Sequence, residues 1–475
     1  MEIILFYYNL NFQIFNVFNH SQEYIMMRFY FNLFNSLLCT ALLFCSCKSI
    51  SNEVDDKKDL VAKYSKKLNW RIVLKCSLFC ASLLYSCGNS KDSIQFATDS
   101  YENAEIICID PRKDVDKDYA MNASLIVSTV EYFPLSLPEN MIIGEIAKMI
   151  HRNGHVYIFD RHTESIFIFT DEGEFVNAIQ RKGEGPEEYG DIKDFEVDPE
   201  SGNVLIYSPM SQKILQYAIT GEYLGAMRNK AHLSSFFPIS DSTMAMYNSR
   251  MPNGHVFEST FPIQPRFFIT NEKEEIEKQD LECDYREQLL MYPVAGFGFY
   301  QVGDSLRLME SINAVVYGVD VAKGRVYPRF AFDFTKVNPP RLYDMDADEL
   351  SSFVENYKNK KKGDWASLYK VNETADYLCV TYSYGGYMNT AFYSKHSKRL
   401  INLGSVWIND MDKISMPSVV TITSDGGFLG YFSSQNFSTM VKNNKNKLSQ
   451  RILDLEKSQR DAESFILIKF TLKDF

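Results

Sequence analysis

Residues 155–179 and 203–227 repeat each other without a gap, and this repeat constrains the fold more than any other feature of the chain. His155-Val-Tyr-Ile-Phe-Asp160 aligns with Asn203-Val-Leu-Ile-Tyr-Ser208 at an offset of 48 residues. Ile166-Phe-Ile-Phe169 then aligns with Ile214-Leu-Gln-Tyr217, and Gly173-Glu-Phe-Val176 with Gly221-Glu-Tyr-Leu224. A repeat of that length built from short β-rich runs is one supersecondary unit that cannot bury its apolar faces alone. The unit reads as one blade of a β-propeller.

Within each copy, apolar side chains occupy both parities of the strand pattern, which suits a sheet covered on both faces. Polar turns separate the runs, with Gly173 and Gly221 where a hairpin calls for a positive φ. Three strands per unit are expected. Weaker copies follow around 241–271, 303–334, 376–403 and 425–472, and Leu125–Phe133 precedes the first clear unit. Asp346–Lys362 is acidic at its start and lysine-rich at its end, matching a helix macrodipole. Lys447–Arg460 carries Leu448, Ile452 and Leu455 at near-helical spacing. With roughly 335–370 and 434–462 set aside around these helices, the remaining 288 residues of 123–475 hold six units of 48. The expectation is an all-β, six-bladed β-propeller with two short helical insertions. Ring closure is expected between Phe465–Leu472 and a strand in Leu125–Phe133, leaving no open sheet edge.

The N-terminal region reads as an address. Leu84-Tyr-Ser-Cys87 has the form of a lipobox, preceded by the apolar run Cys76–Tyr85 and a basic stretch with Lys63, Lys66, Lys67, Arg71 and Lys75. The run is too short to span a bilayer and has the size of a signal-peptide core. A poorer lipobox ends at Cys47, so an upstream cleavage is the alternative, with an uncleaved membrane anchor as the third reading. Residues 1–86 are therefore assigned to a signal or misassigned upstream region, 87–122 to a tether and lead-in, and 123–475 to the propeller. Cys87 is the expected lipidated residue, which places the protein in the cell envelope, anchored to the outer membrane.

Residues 1–87 hold nine Lys and Arg against six Asp and Glu, which leaves 88–475 with a net charge of −14. Nucleic-acid binding requires a basic stripe and is disfavoured. Past Cys87 only Cys108, Cys283 and Cys379 remain, which is neither a disulfide framework nor a zinc pattern. His151-Arg-Asn-Gly-His155 lacks the helix and glutamate of a zinc-protease motif, and Asp114–Asp118 lacks the glycine of a calcium loop. No metal or cofactor is called.

One loop stands out, Arg181-Lys-Gly-Glu-Gly-Pro-Glu-Glu-Tyr-Gly190. Gly183 and Gly185 permit unusual backbone angles, with a positive φ expected at Gly185 and Pro186 stiffening the turn. The structural reading is a tight crossover between blades. The functional reading has Arg181, Glu188 and Tyr189 contributing to a ligand site. Together with Tyr157-Ile-Phe-Asp160 and Phe169-x-x-x-Gly173, this loop resembles the Gram-negative lipoprotein family of six-bladed β-propellers, akin in fold to NHL and TolB-like propellers. The resemblance implies no secure catalytic residues. Two functions follow as expectations. One is a binding or scaffold module for a protein, peptide or glycan partner. The other is a propeller-type hydrolase, lactonase or lyase, with Glu187, Asp241, Glu310 and Asp425 converging at the central channel.

Overall fold

Alternate side chains of the repeat bury on opposite faces. Val156 and Ile158 pack with Phe167, Phe169 and Leu467, whereas Tyr157 and Phe159 pack with Phe195, Ile206 and Leu215. The second copy does the same: Ile206 joins the sheet before it, and Leu205 and Tyr207 join Phe236 and Met246 in the sheet after it. Strands buried on both faces must lie between two other sheets, so each unit recruits a neighbour on each side.

The computed structural model describes residues 101, 103–112, 121–240, 242–248, 253, 263–271, 273, 275–284, 297–310, 314–338, 348, 349, 351, 352, 355, 365–444, 448–459 and 464–475. Three strands come first: β1 (Glu105–Cys108), β2 (Met121–Asn122) and β3 (Val127–Pro134). The first meander is β4 (Ile146–Arg152), β5 (His155–Asp160), β6 (Ser165–Thr170) and β7 (Phe175–Ile179). The second is β8 (Asp194–Val197), β9 (Val204–Ser208), β10 (Lys213–Tyr217) and β11 (Tyr223–Arg228). The third is β12 (Ser235–Ser240), β13 (Thr243–Tyr247), β14 (Ile263–Thr270) and β15 (Ile276–Asp284). The fourth is β16 (Phe297–Val302), β17 (Ser305–Glu310), β18 (Val315–Asp320) and β19 (Arg325–Asp333). The fifth is β20 (Ser367–Glu373), β21 (Tyr377–Tyr384), β22 (Tyr387–Ser394) and β23 (Leu400–Gly404). Two short strands, β24 (Trp407–Asn409) and β25 (Ile414–Ser415), precede β26 (Val419–Ile422) and β27 (Phe428–Ser433). Helices α1 (Ser434–Asn444) and α2 (Gln450–Gln459) follow, and β28 (Phe465–Leu472) ends the chain's regular structure.

The protein is an all-β propeller carrying these two helices. First strands touch in cyclic order, β4 to β8, β12, β16, β20, β26 and back to β4. Closure follows the expected pairing: β28 lies antiparallel to β3, with Lys469 opposite Glu131. β3 thus supplies the fourth, outer strand of the last meander and closes the ring.

Three expectations need correction. Each meander has four strands, because the first strand of each unit (β4, β8) precedes the stretch that repeats most clearly. The described strands form seven sheets rather than six. The additional one is a ribbon of β2, β24 and β25, which the unit count absorbed because residues 405–418 were not recognised as an insertion. In the last meander, α2 falls inside the expected 447–460, but α1 was not foreseen. The expected 346–362 helix is described only at residues 348, 349, 351, 352 and 355, which are helical and exposed. The strand β1, from the expected lead-in, adds in parallel to the outer edge of β19.

Connections divide by sheet end. Antiparallel meanders return alternately, so first-to-second and third-to-fourth turns share one end of each sheet. None there is longer than the six residues 198–203. At the opposite end the described residues include the longer connections 135–145, 180–193 and 405–418 and the helices α1 and α2.

Candidate functional site

The 180–193 connection leaves β7 and enters β8. Gly183 N–H donates to Tyr189 O (3.0 Å), and Tyr189 N–H donates back to Arg181 O (3.1 Å). Tyr189 is fully buried. Its single hydroxyl proton lies between the carbonyls of Glu164 (2.9 Å) and Ile179 (3.1 Å), and its oxygen accepts the Arg181 N–H (3.0 Å). Burial, opposed by that N–H, pushes its pKa up to about 12. The Glu188 carboxylate turns inward to accept the Gly185 N–H (2.8 Å). Tyr217 donates to Glu187 O (2.8 Å), tying the loop to the next meander.

This geometry corrects the reason for the glycines. Neither Gly183 nor Gly185 has a positive φ. A Cβ at Gly183 would instead collide with the Glu188 carboxylate, and one at Gly185 would lie 3.0 Å from it. The glycines make room for an internal acceptor. Pro186 is exposed, and its carbonyl accepts from Lys213 (3.5 Å). Of the three candidate ligand residues, Arg181 alone keeps its charged group outward, paired with Glu187 at 3.3 Å. Glu188 and Tyr189 are spent on the loop itself.

The carboxylates expected at the channel have separate partners. Glu310 is buried, accepting from Arg266 (2.9 Å) and Tyr247 (2.7 Å). Asp425 pairs with Lys469 (2.6 Å); burial would raise its pKa, but Lys469 and Thr423 bring it to about 2. Glu187 is held by Arg181, and Asp241 lies outside the described residues, as do Cys47, Cys87 and Asp114–Asp118. The two histidines are likewise separate. His151 Nε2 faces Asp171 (2.7 Å) while its Nδ1 accepts the Ser424 N–H (3.2 Å), and His155 Nδ1 contacts Asn153 O (2.9 Å).

First strands carry a charged set that the sequence reading missed. Lys148 on β4 donates to Asp194 (2.9 Å), Phe195 O (2.7 Å) and Glu196 (2.5 Å), all on β8. Burial works against its charge, but the two carboxylates outweigh it and hold the pKa above the ordinary lysine value. Arg152 continues the same bridge to Val197 O. On β20, Lys370 donates to Val420 O of β26. Burial, reinforced by the Lys148 charge, brings the Lys370 pKa down to about 8. Between sheets four and five, Glu373 accepts from Lys395 (2.7 Å), Tyr300 (3.0 Å) and Arg307 (3.3 Å). The available signal was a lysine inside an apolar run, as in Ala147-Lys-Met149 and Tyr369-Lys-Val371.

A sequence profile described as a domain of unknown function, DUF4934, matches residues 106–468. The chain belongs to the DUF4934 family. That span runs from β1 into β28, so the family covers the whole ring. No curated protein matches this DUF4934 chain. Among solved structures, a candidate exported protein of Bacteroides fragilis is 18% identical, with a TM-score of 0.62 over 78% of this chain and 100% of that one. A DUF4221 family member from Bacteroides vulgatus is 11% identical, with a TM-score of 0.44 over 74% of this chain and 98% of that one. A virginiamycin B lyase from Staphylococcus aureus is 8% identical, with a TM-score of 0.33 over 70% and 82%. The first of these shares the propeller fold. The propeller fold is the part of the resemblance to the lipoprotein family that this comparison bears out. Among the described residues, no helix is long and apolar enough to cross a membrane.

Proposed function

We propose that this DUF4934 chain is a lipid-anchored propeller of the cell envelope that binds a protein, peptide or glycan partner at the long-connection end of its sheets. The observation that carries this reading is the unequal division of connections. Short turns suffice to build a meander, so the longer segments at one end offer additional surface suited to recognition. Large apolar side chains are also exposed there: Met210 (75%) in the β9–β10 turn and Tyr387 (67%) beside the β21–β22 turn. The six meanders are read as the blades and the β2–β24–β25 ribbon as a fastening on the connection between two of them. Cys87 and the exported relative support the envelope address.

Two experiments test the reading. Metabolic labelling with a clickable fatty acid should mark the protein and fail on Cys87→Ala. Retained labelling in that variant would move the site to Cys47. The purified chain should bind members of peptide and polysaccharide arrays and lose them on combined Tyr387→Ala and Met210→Ala. Turnover of a lactone, ester or polysaccharide would replace binding by the enzymatic reading.

A further inference from the structure

We propose that His151 is a pH-sensitive fastener between the last and first meanders, joined to the last meander while neutral and released from it when protonated. It lies at the short-turn end, apart from the binding surface inferred above, and stands whether or not a partner binds there.

The two partners of the imidazole fix its state. His151 sits near the end of β4, and its side chain is only 4% exposed. Nε2 lies 2.7 Å from Asp171, in the β6–β7 turn of its own meander. A carboxylate only accepts, so Nε2 carries the proton. That leaves Nδ1 as an acceptor, and it takes the Ser424 N–H (3.2 Å) from the β26–β27 turn of the last meander. A neutral imidazole has one donor and one acceptor, and here both are used. Protonation puts a second N–H on Nδ1 and sets donor against donor at Ser424. The same charge strengthens the hydrogen bond to Asp171. The histidine thereby leaves the seam and commits to its own sheet.

The surrounding groups leave this role to His151. Asp425, next to Ser424, is held by Lys469 (2.6 Å) and Thr423 (2.5 Å). Glu172 and Glu174, on the turn with Asp171, are exposed. His155 on β5 directs its Nδ1 to Asn153 O (2.9 Å). Val156, Phe167, Leu429 and Leu467 pack across the same seam and do not titrate, so the release is local to the two turns. Histidine changes charge between about pH 5 and about pH 8. Guanidinium groups, which stay charged, bridge other seams. Arg152 donates to Val197 O between the first and second meanders, and Arg307 to Glu373 (3.3 Å) between the fourth and fifth.

Hydrogen exchange of the full chain, read at the Ser424 amide and corrected for the intrinsic effect of pH, tests the fastener. Protection at Ser424 should fall at least about tenfold between about pH 7.5 and about pH 5, while the amides of β6 keep theirs. His151→Asn sets an amide oxygen where Nδ1 stands, an acceptor that does not titrate, so protection at Ser424 should no longer depend on pH. Asp171→Asn is an independent check. Without a carboxylate to stabilise the imidazolium, the fall should move to lower pH. Constant protection in the wild type, the same fall in His151→Asn, or an unmoved fall in Asp171→Asn overturns the proposal.

Discussion

The two ends of the sheets are built by different rules. At the short-turn end every connection is close to the minimum that returns a strand, and some residues there are committed to neighbouring sheets. Gly173 has a φ of +88, and a Cβ on it would strike the Pro134 carbonyl of the closing strand β3. Glu373, at the same end of β20, gathers Arg307, Tyr300 and Lys395 from two sheets. At the other end, Gly385 also has a positive φ (+61), yet nothing lies within 4 Å of its Cβ position. Gly173 is constrained by a neighbouring sheet, whereas Gly385 is constrained by little beyond its own backbone. The difference teaches that a blade repeat preserves the frame at one end while connections are free to lengthen at the other.

The largest expected effect probes the frame. Glu373→Ala removes the acceptor of a buried ionic cluster and leaves Arg307 and Lys395 uncompensated, a loss of about 3–5 kcal/mol. Equilibrium denaturation measures it, and a loss under about 1 kcal/mol would contradict the picture of a stapled end.

A matched pair sharpens the comparison. Asparagine tolerates the left-handed region better than other non-glycine residues, so Gly385→Asn should cost well under about 1 kcal/mol. The same change at Gly173 retains the collision with Pro134 and should cost about 1–3 kcal/mol. Equal melting-temperature shifts in the two variants would break the distinction.

The 180–193 connection tests the rule from inside, because it belongs to the long end but is built like the frame. Tyr189→Phe removes a buried hydroxyl serving three backbone groups and should cost about 1–2 kcal/mol. Glu188→Ala, which loses one backbone N–H partner, should cost less, about 0.5–1 kcal/mol. If Tyr189→Phe were neutral, the loop would be free to serve a ligand.

A further prediction concerns pH. Lys370 has a folded-state pKa of about 8, below the ordinary lysine value of about 10.4. Its charged form therefore costs stability, fully below about pH 8, and the cost is relieved as pH rises toward the ordinary value. The wild type should gain on Lys370→Met between about pH 7 and about pH 10. A difference that stays flat or runs the other way would show that Lys370 is not desolvated.

Much of the frame was legible in the sequence. The offset between Gly173 and Gly221 repeats a backbone requirement, since both have positive φ, and that requirement survives drift in the strands around them. The closing pair of β3 and β28 was legible because both are β-rich runs flanking the repeated units. The seventh sheet was not. Met121-Asn122 and Trp407–Asn409 pair over two residues, too short to show period-two patterning. The charged set on the first strands was equally hidden. Lys148 and Lys370 sit in different repeats, and their proximity comes from ring closure rather than from spacing. Gly183 and Gly185 were noticed for the wrong reason, because a carboxylate folded back over a glycine leaves the same mark in sequence as a positive φ.

The central claim is that the long-connection end is the working surface and the short-turn end is the frame. Photo-crosslinking in living cells tests it most directly, with a photoreactive phenylalanine analogue placed at Met210 or Tyr387 and, for comparison, at the short-turn positions Glu222 or Lys323. Discrete crosslinked species are predicted from Met210 and Tyr387 and none from the other two. Crosslinks arising from Glu222 and Lys323 alone, or equally from all four positions, would contradict the account.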